Sequence, residues 1–107
     1  MTHVVGRPGQ PKQITCGIMR ELTKTDKLDI SHVTITKSTK KHYHKKLTEF
    51  YYVLKGKLDV ETDGIVEHLE PGQIIMNSPG TEHEAHGNAE VLVICTPPWA
   101  EEDEVLV

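Results

Sequence analysis

His42 and His44 are separated by one residue, Glu49 follows, and Gly56 closes the pattern H-x-H-x4-E-x6-G; a second cluster ends at His83, 27 residues beyond Gly56. Three imidazoles and a carboxylate at these spacings make metal binding the first chemistry to test, since nitrogen and carboxylate oxygen suit iron, manganese, nickel, copper or zinc. On an extended segment, side chains two apart leave from the same face, so His42 and His44 can chelate one divalent ion without distortion. The residues 45–48 give enough chain for a turn that returns Glu49 to the same pocket. Counting by two from Glu49 places Tyr51 on its face, as a candidate acid/base group or support near the ion. The competing reading is a metal-free pocket whose histidines are merely hydrogen-bonded.

The elements that must position these residues read as strands. Residues 28–36 are rich in β-branched side chains and alternate, with Leu28, Ile30 and His32 on one face and Val33 and Ile35 on the other. Strands are predicted over 49–54 and 58–62, then a tight hairpin at Asp63-Gly64, a return over 65–69, a turn at Glu70-Pro71-Gly72, and strands over 74–77 and 90–95. Pro97 and Pro98 end the last ladder. No segment carries a helical apolar stripe of adequate length, and many short strands separated by turns predict a sandwich or barrel. In the strand after Glu49, the face opposite Tyr51 is also apolar, with Phe50, Tyr52 and Leu54. Both faces are therefore expected to be covered, by a second sheet or another subunit.

With 107 residues, the sequence has the size of one domain, read as a single unit with an arm at 1–12 and a tail at 97–107. The arm has Gly6, Pro8, Gly9 and Pro11 where a signal peptide needs an apolar stretch, and nothing resembles a membrane span, so a cytoplasmic protein is expected. Cys16 and Cys95 are then read as reduced, buried thiols rather than a disulfide or ligands. A net charge of −4 weighs against nucleic acid as a partner. Lys40, Lys41, Lys45 and Lys46 nevertheless bracket the first two histidines, either as a patch that draws in small anions or as a solvated loop.

These motifs resemble those of the cupins, small β-barrels whose first motif is G-x5-H-x-H-x3,4-E-x6-G and whose second is G-x5-P-x-G-x2-H-x3-N. His42, His44, Glu49 and Gly56 match the first in order and spacing, and Gly72, Gly80 and His83 match the second. The resemblance spans roughly residues 28–96. It implies an all-β, double-stranded β-helix (jelly-roll) barrel with His42, His44, Glu49 and His83 as ligands of one divalent transition metal. Thr36, Ser78 and Gly87 depart from the motifs, where glycine, proline and asparagine are usual; none of them is a ligand position.

Among the remaining histidines, His86 is a candidate catalytic residue at the cavity mouth, or else an exposed turn residue. His32 either lines the cavity or is structural. His3 and His68 are expected to face solvent. An ion held by three neutral imidazoles and one carboxylate retains a residual positive charge, suited to carboxylates, enediols and hydroxyketones. Two readings share that site. One is an enzyme acting on a small polar or anionic metabolite, as an oxygenase or a sugar or keto-acid isomerase or lyase. The other is a non-catalytic module that binds or senses a small ligand; a metal that only stabilises the barrel is a third. In the tail, Trp99 and the apolar end at Val105, Leu106 and Val107 are expected to pack on the barrel or a neighbour while Glu101, Glu102, Asp103 and Glu104 face water, or else the tail frays. With the two-faced apolar strand, this favours a homodimer.

Overall fold

The computed structural model describes residues 3–107 and is almost entirely antiparallel β. Its strands are β1 (Lys12–Ile14), β2 (Gly17–Lys24), β3 (Asp29–Ile35), β4 (His42–His44), β5 (Thr48–Thr62), β6 (Ile65–Leu69), β7 (Ile74–Asn77), β8 (His83–Thr96) and β9 (Glu104–Leu106), with one 3-10 turn at Glu101–Asp103. They pair in the order β1-β2-β3-β8-β4-β9, while β5 pairs with β6, β7 and β8. None of the described helices is long and apolar enough to cross a membrane.

The two long strands, β5 and β8, build the barrel. They are in register from Thr48↔Thr96 to Thr62↔His83, with a shift between Val53 and Lys55. Along its first part β5 also pairs with β7, and along its second with β6. The two predicted strands at 49–54 and 58–62 are thus one strand, bent at a bulge that re-aims it between two walls. Gly56, at φ +80, makes that bend possible: a Cβ there would lie 2.1 Å from the carbonyl oxygen of Asn88. Gly87 has a similar role, at φ +140 with a would-be Cβ 2.4 Å from the oxygen of Lys57, which explains why the motif departs to glycine there. Asp63 and Gly64 both take positive φ, as the predicted hairpin turn requires.

Strict alternation then sorts the side chains. Along β3 the inward residues are Asp29, Ser31, Val33 and Ile35. Leu58, Val60 and Ala85, all fully buried, join Val33, Ile35 and Val91 in the apolar core. His32 faces outward, 3.2 Å from Glu90, so it does not line the cavity. This corrects the option of a cavity role and follows from the pleat: the buried parity is that of Val33 and Ile35.

Both chain ends are more ordered than the sequence suggests. The arm lies along β2, where the Gly9 N–H donates to the Glu21 carbonyl at 2.9 Å and the Thr23 hydroxyl to that of Val5 at 3.0 Å. The tail forms β9, which pairs with β4 in the register His42↔Leu106, Tyr43↔Val105 and His44↔Glu104. Asp103 does not face water; it is buried, which corrects the expectation for the acidic run.

Candidate metal centre

The ligand-bearing residues come from three strands. His42 and His44 are the two inward residues of β4, Glu49 opens the inward face of β5, and His83 begins β8 directly opposite His42 in the ladder. All four are buried, and one ligand atom from each can be chosen so that all lie within 4.8 Å of one another. The imidazole centroids of His42 and His83 are 4.4 Å apart, and that of His44 is 5.1 and 5.8 Å from them. Interplanar angles from 37° to 87° show converging rings rather than a stack.

Backbone carbonyls fix two of the rings. His42 Nδ1 lies 2.6 Å from the Lys40 oxygen and His83 Nδ1 2.9 Å from the Thr81 oxygen. A carbonyl only accepts, so each Nδ1 carries the hydrogen, and each Nε2 is turned inward as the potential ligand. His83 Nε2 is 3.0 Å from Glu49 Oε1, and His44 Nε2 is 3.7 Å from Glu49 Oε2. Burial pushes the Glu49 carboxyl up, but the adjacent His44 and His83 outweigh it and hold the group below the usual carboxylate range. Burial pulls His44 down, and the Glu49 carboxylate reverses this to give a net upward shift.

His44 tests whether a metal belongs here. Both of its ring nitrogens are buried without a hydrogen-bond partner among the described residues. Leaving buried polar atoms unpaired costs roughly 1–3 kcal/mol each, so an imidazole stranded beside two others and a carboxylate needs an explanation. A cation bound by the four inward-facing groups supplies one. The residues fit a divalent metal.

The tail secures the loop between these ligands. Asp103 accepts the Lys46 N–H on Oδ1 at 2.9 Å and the Leu47 N–H on Oδ2 at 3.1 Å, while its carbonyl accepts the Lys45 N–H at 2.9 Å. Residues 45–47, three of the four that connect His44 to Glu49, are thereby clamped at every amide. Glu104, next along, places Oε1 3.8 Å from His42 Nε2. Neither acid was singled out from the sequence, where they were part of a run of four; only the pairing of β9 with β4 separates them.

Tyr51 is brought to the site, buried, with its ring 6.1 Å from that of His83. Burial, then the charge of Glu49, pushes its hydroxyl well above the ordinary range, so it is a hydrogen-bond donor here. Cys16 and Cys95 are buried free thiols, as expected. Cys95 lies between Asp29 and Glu49 in the ladder, and its sulfur is 3.9 Å from Glu49 Oε2. Burial and those two acids push the thiol far upward, away from thiolate.

The structure does not bring His86 to this group. Three residues beyond His83 on β8, it points the other way, with Nδ1 2.5 Å from the Ser38 hydroxyl and Nε2 2.7 Å from Glu84. Glu61, Glu84 and His86 form a second, half-exposed set whose ligand atoms also lie within 4.8 Å, but its histidine already has partners on both nitrogens. His68 is exposed and paired with Asp59, and His3 is exposed. Lys40, Lys41, Lys45 and Lys46 are all exposed beside the ligand strand.

A long-stranded antiparallel barrel with a buried three-histidine, one-carboxylate cluster defines the class of small barrel anticipated from the motifs. The family model described as "Cupin domain" matches residues 31–97, and the chain belongs to the cupin family. No curated protein matches the chain. Among solved structures it is similar to a variant of Streptomyces PAC13 with uridine, at 15% identity over 100% of this chain and 92% of that one (TM-score 0.89), a protein elsewhere described as a nucleoside dehydratase. It is also similar to KdgF from Halomonas sp., at 20% identity over 87% and 89% (TM-score 0.77). A protein from Planctomyces limnophilus shares 24% identity over 97% and 93% (TM-score 0.81). At such identities the likeness establishes the fold.

Proposed function

We propose that this cupin binds one divalent transition metal through His42, His44, Glu49 and His83 and acts as an enzyme on a small polar or anionic metabolite. The observation that carries the reading is the convergence of four buried ligand groups around a histidine with no other partner. A metal held there supplies Lewis acidity to an oxygen of the bound molecule. The chain's own contribution is to hold that molecule beside the four ligand groups, with the buried Tyr51 hydroxyl near it as a hydrogen-bonding or proton-donating group. The exposed lysines favour an anionic substrate by steering. Relatives of the same fold include a nucleoside dehydratase and an oxalate decarboxylase, which supports catalysis on small molecules over simple sensing.

The outward face of the first part of β5 and of β7 is apolar, with Phe50 and Tyr52 half-buried and Leu54, Ile74 and Met76 exposed. A patch of this kind across neighbouring strands fits a second copy of the same face, giving a homodimer. Two free buried thiols suit a reducing compartment such as the cytoplasm.

The test is reconstitution of metal-depleted protein with each divalent ion in turn, followed by a turnover screen of small hydroxy, keto and carboxylate metabolites and nucleosides, with and without oxygen. The reading predicts metal-dependent turnover in at least one class. Tight metal binding with ligand binding but no turnover would favour the sensing module instead.

A further inference from the structure

Asn77, which the sequence did not single out, is the last residue of β7 and one of the most deeply buried polar side chains, at 2% exposure. In the β5–β7 ladder it lies directly opposite Glu49. Ladder partners present their side chains to the same face, with Cβ atoms about 5 Å apart, so Asn77 faces the interior next to a metal ligand. The loop that follows is tied to the same site, because the Gly80 N–H donates to the His44 carbonyl at 2.7 Å. Asn77 is therefore set against the strand of Glu49, and the loop that follows it is fastened to the strand of His44.

Its amide nitrogen is buried with no acceptor among the described residues. Apart from the two nitrogens of His44, it is the other such side-chain atom among them. The neighbouring carboxylate oxygens face other groups: Glu49 Oε1 lies 3.0 Å from His83 Nε2, and Oε2 faces His44 and Cys95. A leucine of nearly the same size would avoid the cost of an unpaired buried amide.

Resting on the metal-site reading above, we infer that Asn77 forms a ligand subsite beside Glu49, donating an amide hydrogen to a carboxylate oxygen of the molecule bound next to the metal. The class of ligand follows from charge. Two positive charges on the ion less one on Glu49 leave about +1, which favours an anionic oxygen over a neutral one. Asn77 donates without adding charge of its own, so it selects for an acceptor oxygen.

The experiment uses the full-length protein reconstituted with cobalt(II), whose visible absorption reports its ligand shell. Acetate and glycolate are titrated into the parent and the Asn77→Leu, Asn77→Ala and Asn77→Asp variants, with cobalt content and melting temperature measured in parallel. The subsite predicts that all variants retain one equivalent of cobalt. It predicts that Asn77→Leu and Asn77→Ala weaken carboxylate binding about tenfold, and Asn77→Asp more. It further predicts that Asn77→Leu melts no lower than the parent. Unchanged carboxylate affinity in Asn77→Leu at full cobalt content overturns the inference. So does loss of cobalt from that variant, since Asn77 would then act by orienting Glu49. A parent that takes up no cobalt or other divalent ion fails at the earlier step, the metal site itself. A parent that binds cobalt but neither probe overturns the carboxylate subsite alone.

Discussion

His83 and His86 are three residues apart on one strand and live in different chemical worlds. His83 is 1% exposed, fixed through Nδ1 by a backbone carbonyl, with Nε2 aimed at Glu49 among two other imidazoles. His86 is 40% exposed on the opposite face, spanned by Ser38 and Glu84. The difference is the parity of a β-strand: an odd spacing sends two side chains to opposite sides of the sheet. The inner face gathers three imidazoles around one carboxylate, with His44 left unpartnered, whereas the outer face pairs its acids and histidines with each other. Residue type alone marks both as functional; position on the pleat separates them.

The largest expected effect breaks the inner side. His83→Ala removes one ligand and the partner of Glu49, and should lower metal affinity more than about 100-fold, because loss of supporting groups behind metal ligands alone costs 10–100-fold. Competition against a chromophoric chelator measures it. Asp103→Ala probes whether the inner ligands depend on the tail. Leaving the amides of Lys46 and Leu47 without their carboxylate should cost about 2–3 kcal/mol in chemical denaturation and weaken metal binding as the loop 45–47 loosens. Tyr51→Phe sharpens the comparison within the inner face: metal content should be unchanged while turnover on an identified substrate falls, by about 100-fold if the hydroxyl transfers a proton. The smallest effect belongs to the outer side. His86→Ala should leave metal affinity within about twofold and stability within about 1 kcal/mol, the range of exposed ion pairs. A large loss of metal in His86→Ala would erase the distinction between the two faces.

The site was legible because its chemistry is local. His42, His44 and Glu49 lie within eight residues; alternation pairs His42 with His44 on β4 and Glu49 with Tyr51 on β5, and the short turn between the strands joins the two pairs. His83 was legible through motif spacing and is placed by the ladder contact with His42. What escaped the sequence depends on pairing between distant segments. Asp103 and Glu104 are two acids in a run of four until β9 pairs with β4 and buries one of them. Asn77 is an ordinary residue before a turn until the β5–β7 register sets it against Glu49. The single strand β5 reads as two because Gly56 interrupts its alternation, and that interruption is the bend on which the barrel depends. Of the two readings of His32, the structural one holds, because the inward parity of β3 is that of Asp29, Ser31, Val33 and Ile35, opposite to Ile30 and His32.

The most direct test of the central claim is elemental analysis of the untagged parent beside His44→Ala, each first emptied with chelator and then exposed to iron, manganese, nickel, copper or zinc. About one equivalent of an ion in the parent, absent from a His44→Ala protein that remains folded by circular dichroism, is the predicted result. A parent that retains none of these ions, or a His44→Ala variant that keeps a full equivalent at unchanged affinity, would contradict the account.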